Sequence, residues 1–226
     1  MKKLFFALFS LISLIFSAQV GNENISYSTG NFFMKGNRPS TKEYVIDRNP
    51  YINGDKFNKV IINGYSKNVQ DLRYNAYEDE MEFKTGDGLF YANKENNLTI
   101  QFPALSKTYK CFNYTYEGKS KLGYLVVLVD NLKHSLYKRE KIELLKGEKS
   151  TNAYSKDAND YYAKEKDLYL ISKGNNQLFR FPKNANDASG FFGIDKNTLE
   201  SFVKTNKINF NKEQDIIKLV EFVNQQ

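Results

Sequence analysis

GYLVVLVDNLKHSLYKREKIELL, residues 123–145, is the stretch on which the fold turns. Residues 123–129 are apolar on both sides of the chain and rich in valine. They are too few for a buried helix, so the pattern is that of a strand in the middle of a sheet. Asp130-Asn131 supplies a turn, and residues 136–145 read as the returning strand. The same grammar recurs on both sides. Residues 168–172, the turn tetrad Lys173-Gly174-Asn175-Asn176 and residues 177–181 form the clearest hairpin signal. Upstream, 59–62 ends at Asn63-Gly64. Residues 72–76 alternate, turn at Glu78-Asp79-Glu80 and return through 81–84. Asp87-Gly88 turns into 89–92, and 98–102 stops at Pro103. Residues 111–116 put Phe112, Tyr114 and Tyr116 on one face. Residues 31–34 fit one edge strand, and the polar stretch 147–166 reads as a surface loop.

After Pro182 the period changes. Residues 185–191 fit a short helix. Asp195 is placed to cap a helix reaching Asn206, with Leu199, Phe202 and Val203 at helical spacing. Asn211, with Gln214 three positions on, is placed to cap a last helix striped by Ile216, Ile217, Leu219, Val220 and Val223. The expected fold is therefore α+β: an antiparallel β-rich body of meander and hairpins, followed by a C-terminal helical hairpin. The expected organisation is a signal peptide over 1–18, a leader over 19–40, a β domain over 41–182 and helices packed on or appended to it over 183–226.

The N-terminus has its own pattern. Lys2 and Lys3 precede an apolar run over 4–16, and the small residues Ser17 and Ala18 precede Gln19. A positive start, an apolar middle and a small-residue exit make a secretory signal, with cleavage expected between Ala18 and Gln19. The run is shorter than the roughly 20 residues a spanning helix needs, and no later stretch reaches that length. The expectation is an exported chain, periplasmic or secreted, with no transmembrane segment after cleavage.

The 226 residues carry 33 basic and 26 acidic side chains, for a formal charge of +7, and removal of Lys2 and Lys3 lowers that by two. Almost all the cations are lysines interleaved with acids, as in Lys138-Arg139-Glu140-Lys141 and Lys164-Glu165-Lys166-Asp167. This pattern reads as a solvated mixed-sign surface and argues against a nucleic-acid partner. Cys111 is the only cysteine, which excludes an intramolecular disulfide. His134 is the only histidine, which excludes a multi-histidine metal centre, and it is expected as an exposed turn residue. Cys111 is expected as a half-buried strand residue, since nothing near it in sequence activates a thiol. The chain has no nucleophile elbow, phosphate-binding loop or dinucleotide fingerprint, so no cofactor is expected.

Three groups of residues remain as candidates. Glu78, Asp79, Glu80 and Glu82 cluster on one hairpin, where two facing carboxylates could cleave a glycosidic bond, against the plainer reading of a solvated turn. Asp157-Ala158-Asn159-Asp160 and Asn184-Ala185-Asn186-Asp187 offer calcium-type oxygens but lack the closing glutamate, and read as ordinary loops. Tyr109, Phe112, Tyr114 and Tyr116 suit sugar or protein contact if exposed, as do Tyr154, Tyr161 and Tyr162. The alternative is that they are core or strand-face residues.

The stretches NVQDLRYNAYEDEMEF (68–83), GYLVVLVDNLKHSLYKREKIEL (123–144) and DKNTLESFVKTNKINFNKEQDIIKLVEFVN (195–224) resemble a family of exported proteins of Bacteroidota. The resemblance spans most of the chain after the leader. It implies a Gram-negative envelope setting. The family has no assigned activity, so no functional residue is carried over. One departure lies at Asp130-Asn131-Leu132, where the resemblance implies a shorter glycine turn. The functional expectation is a non-catalytic protein that binds a protein or glycan of the envelope. The alternatives are a carboxylate-dependent polysaccharide hydrolase and a carrier of a small apolar ligand.

Overall fold

The structure is a computed structural model and describes residues 34–36, 45–65, 69–86, 88–116, 119–151, 157–173 and 177–226. The expected signal peptide, its Ala18/Gln19 cleavage site and most of the 19–40 leader lie outside the described residues, as do Asp87, Tyr154 and the 174–176 turn. The strands in chain order are β1 (Met34–Gly36), β2 (Ile46–Asp47), β3 (Ile61–Ile62), β4 (Arg73–Asn75), β5 (Glu80–Thr85), β6 (Gly88–Ala92) and β7 (Thr99–Phe102). They continue with β8 (Lys107–Tyr116), β9 (Lys119–Val129), β10 (Leu136–Arg139), β11 (Ile142–Leu145), β12 (Asp160–Lys164), β13 (Leu168–Ser172) and β14 (Leu178–Arg180). Three helices close the chain: α1 (Ala185–Phe192), α2 (Lys196–Thr205) and α3 (Glu213–Asn224). The protein is thus α+β, with antiparallel sheets first and helices last.

The main sheet has the order β14-β13-β10-β9-β8-β7-β3, and β9 is its middle strand, as its two-sided apolarity requires. β9 pairs along its length with β8, from Tyr109↔Val126 to Tyr116↔Lys119. Its pairing with β10 carries a register shift between Leu136 and Tyr137. A second sheet, β1-β6-β5-β4, lays Tyr74, Met81 and Phe83 against Tyr109, Cys111, Tyr124 and Val126 of the main sheet. On Leu136 and Ile171 of the same sheet, the helices pack Ala188, Leu199, Ile216, Leu219, Val220 and Val223. The apolar stripe read from the sequence of α3 is the face that is buried.

Three local expectations are corrected. Residues 136–145 are two strands, not one. The chain leaves the main sheet after Arg139, and β11 pairs with β12 in a small third sheet. The break falls at Glu140, whose carboxylate meets two lysines and a tyrosine hydroxyl. Second, 147–166 is not wholly loop. Asp160–Lys164 is β12, whose Tyr162 packs on the core and whose first residues pair in parallel with β2. Gly147 fits there because a side chain at that position would collide with the Ala158 carbonyl. Third, Asn211 does not cap α3. Lys212 occupies that position without a side-chain bond, and the Asp215 carboxylate instead accepts from the Asn209 N–H at 3.0 Å. Asp195 does cap α2, accepting from Thr198 N at 2.9 Å.

Candidate functional site

The four acids of the β4–β5 hairpin divide. Glu78 is exposed, and Glu80 is half-buried with the Lys94 ammonium at 3.2 Å. Asp79 and Glu82, at 7% and 1% exposure, are not part of a solvated turn, and they point to different partners. Glu82 lies in a cross-strand row, Arg73–Glu82–Tyr91, on β4, β5 and β6. It receives Arg73 Nε at 2.7 Å and Asn75 Nδ2 at 2.7 Å. The Arg73 guanidinium is in turn stacked on Tyr51 at 3.9 Å and Phe57 at 4.4 Å, which shields the pair from water. Burial and the neighbouring Glu82 charge push the Tyr91 hydroxyl up to about 12.

Asp79 sits at the turn itself with a left-handed φ of 58°. Its Oδ1 accepts from the Tyr74 hydroxyl at 2.8 Å and from the Tyr124 N–H at 3.1 Å. The carboxylate therefore caps the edge of β9 where β10 no longer pairs with it. Lys121 and Lys94 balance its Oδ2 from 3.4 and 3.8 Å. Gly123 makes this approach possible, because a side chain there would collide with Asp79 Oδ2.

The Tyr74 hydroxyl also approaches the Glu140 carbonyl at 3.4 Å, and there a second polar group begins. The Glu140 carboxylate accepts from Tyr109 at 2.8 Å and from Lys107 at 3.1 Å, with Lys138 at 3.3 Å. Asn53 holds both donors, accepting from Lys107 at 2.6 Å and donating to Tyr109 at 2.8 Å. Lys138 then reaches Glu213 at the start of α3, at 2.8 Å. Burial would raise the Glu140 carboxyl, but Lys107, Tyr109 and Lys138 outweigh it and hold it below its ordinary value. The tetrad Lys138-Arg139-Glu140-Lys141, expected in solvent, thus has its first three members buried at 9%, 9% and 4% exposure. A pattern of alternating charge looks the same in sequence whether it is wetted or internally paired.

The remaining candidates resolve one by one. Cys111 is fully buried rather than half-buried, and burial pushes its thiol up to about 12, so it is no nucleophile at neutral pH. His134 is half-buried rather than an exposed turn residue. Its N–H donates to Asn224 Oδ1 at 3.1 Å, its carbonyl accepts from Asn224 Nδ2 at 2.9 Å, and its ring lies edge-on to Phe192. Tyr109, Phe112 and Tyr114 are core residues, while the Tyr116 side chain is outside the described residues. Tyr161 and Tyr162 are half-buried, the first near Arg48 at 5.5 Å and the second against Tyr77 at 5.3 Å. The calcium-type oxygens have internal donors: Asp157 accepts from Ser150 N, Asp160 from Lys146 and Gly147 N, and Asn184 caps α1. Among the described residues no three His, Cys, Asp or Glu side chains gather as a metal site, and no helix is long and apolar enough to cross a membrane.

Sequence patterns did not single out the open groove at the ends of β10, β13 and β14, where the α2–α3 turn meets the main sheet. It has a volume of about 590 Å³, within the range of small-ligand sites. Arg139, Lys166, Arg180 and Lys183 line it, with Glu165 and Asp167, over Tyr169, Phe181 and Phe210. The only local signal was the Arg180-Phe181-Pro182-Lys183 run that ends the hairpin. Comparison with known proteins gives no further guidance: no family model, no curated protein and no solved structure matches the chain.

Proposed function

We propose that the protein is exported to the bacterial envelope or beyond it and acts there by contact, as an accessory or binding module that catalyses no reaction. The N-terminal pattern of residues 2–19 supports export, and the resemblance to exported Bacteroidota proteins supports the envelope setting. One observation carries the contact reading. The buried acids of the β4–β5 hairpin are each engaged by partners within the chain, while the open groove is lined by more cations than acids. Catalytic carboxylates on a glycosidic bond must share a cleft about 5–9 Å across. Asp79 faces Tyr74 and the β9 edge, and Glu82 faces Arg73 and Asn75, so the hydrolase alternative draws no support from this hairpin.

Protein recovered from envelope fractions is expected to begin at Gln19 by intact mass. Cytosolic material that keeps Met1 would contradict export. A tagged chain is expected to retain a glycan or protein from envelope extracts and to turn over none of a panel of glycoside substrates. Turnover without any retained partner would contradict the contact reading.

A further inference from the structure

We propose that the groove between the α2–α3 turn and the ends of β10, β13 and β14 binds an acidic sugar, a uronate unit of a polysaccharide. This rests on the contact reading above and names its ligand class. Four cations and two acids line the groove, and both acids are already neutralised. Glu165 is met by Arg139 at 3.2 Å and Lys141 at 2.6 Å, and Asp167 by Lys164 at 2.9 Å. Among the described residues Lys166 makes only a 3.5 Å contact with Asn211. Arg180 and Lys183 are exposed and have no ion-pair partner among the described residues, although they flank the buried Phe181-Pro182 step. The groove therefore has an uncompensated positive rim, and the guanidinium of Arg180 is suited to a carboxylate.

The hollow's dimensions narrow the ligand further. A volume of about 590 Å³ holds one or two sugar rings, whereas a protein partner needs a face of roughly 800 Å². Half-buried Tyr169 and Phe210 line the groove, where an aromatic ring can take the C–H face of a pyranose, and Asn211 there offers an amide for its hydroxyls. A lipid chain finds little here, because Leu168, Phe181 and Pro182 already have their apolar surface buried in the core.

The test is calorimetric titration of the chain purified from the envelope, with oligogalacturonate as the probe. Maltotetraose serves as the neutral probe and an oligoglutamate peptide as the acidic non-sugar probe. Oligogalacturonate is expected to bind and the other two to bind at least about tenfold more weakly, with affinity falling as salt rises. The double variant Arg180→Gln/Lys183→Gln is expected to lose about tenfold or more. Lys204→Gln/Lys218→Gln, which removes the same charge from exposed helix positions, is expected to keep wild-type affinity. Circular dichroism of both pairs checks the fold. Equal loss in the two pairs would reduce the site to net charge and overturn the proposal. Equal or tighter binding of maltotetraose or oligoglutamate would overturn the ligand class. Absence of any oligogalacturonate binding would overturn this site while leaving the retention assay to judge the contact reading separately.

Discussion

Strands β7, β8 and the middle of β9 are covered by a second sheet, whereas the end of β9 and β10, β13 and β14 are covered by three helices, and the two covers use different chemistry. The sheet-covered half buries the rings of Tyr74, Tyr109 and Tyr124 and threads them with Asp79 and Glu140, with the Arg73–Glu82 pair on its outer side. The helix-covered half is dry: Leu136, Ile171, Leu199, Ile216, Leu219, Val220 and Val223 meet without a buried charge between them. Polar groups enter it at its margins, among them Lys138–Glu213, Tyr169–Glu213 and His134–Asn224. One sheet face can therefore be sealed either by interlocking hydrocarbon or by paired polar groups, and the two seals fail differently. A damaged apolar seam leaves a hole. A damaged polar seam leaves a charge that water cannot reach.

That contrast can be broken in order of size. Arg73→Met strands the Glu82 carboxylate at 1% exposure and is expected to cost about 3–5 kcal/mol in urea unfolding. Arg73→Met/Glu82→Met should then recover most of the loss, and a double variant no better than the single would count against a stranded charge. Leu219→Ala in the dry half should cost about 2–5 kcal/mol, with no second polar-to-apolar change able to restore it. Gly123→Ala should cost about 1–3 kcal/mol, because the methyl group displaces Asp79 from the β9 edge. Asp79→Ala in the same background should cost less than it does alone, since the collision is then gone.

The smallest effects are in pH, and the halves differ there too. Glu140 titrates below its ordinary value of 4.5 in the folded protein, so its share of stability is complete above that pH and is lost as pH falls through its lowered folded value. Lys138 is held above 10.5: burial alone would lower it, but Glu213 and Glu140 outweigh that. Its share is present below 10.5 and is lost as pH rises through the folded value. In the dry half, burial lowers His134 from 6.5. Protonation then favours the unfolded chain, so stability should begin to fall as pH drops below 6.5, and His134→Gln should remove that early decline alone.

Periodicity made the dry half legible. The 3.6-residue stripe of α3 needs no knowledge of partners, because hydrocarbon burial is written locally. The polar half was not legible in the same way. Glu140 meets Lys107 and Tyr109 from more than thirty positions away, and Asp79 meets Tyr124 from 45 away. No local pattern tells a carboxylate with such a partner from one in water. The same limit hid the groove, because Arg139, Asp167, Arg180 and Asn211 converge from four separate stretches. The break in the return strand after Arg139 was hidden for the same reason, since it is set by pairing of β11 with β12, a strand some twenty positions on.

The proposal that this chain holds its ligand and leaves it intact is tested most directly by incubating the purified protein with polygalacturonate and measuring both co-elution and polymer length. Co-elution with an unshortened polymer, abolished in Arg180→Gln/Lys183→Gln, is the predicted result. New reducing ends produced by the wild-type chain would contradict it.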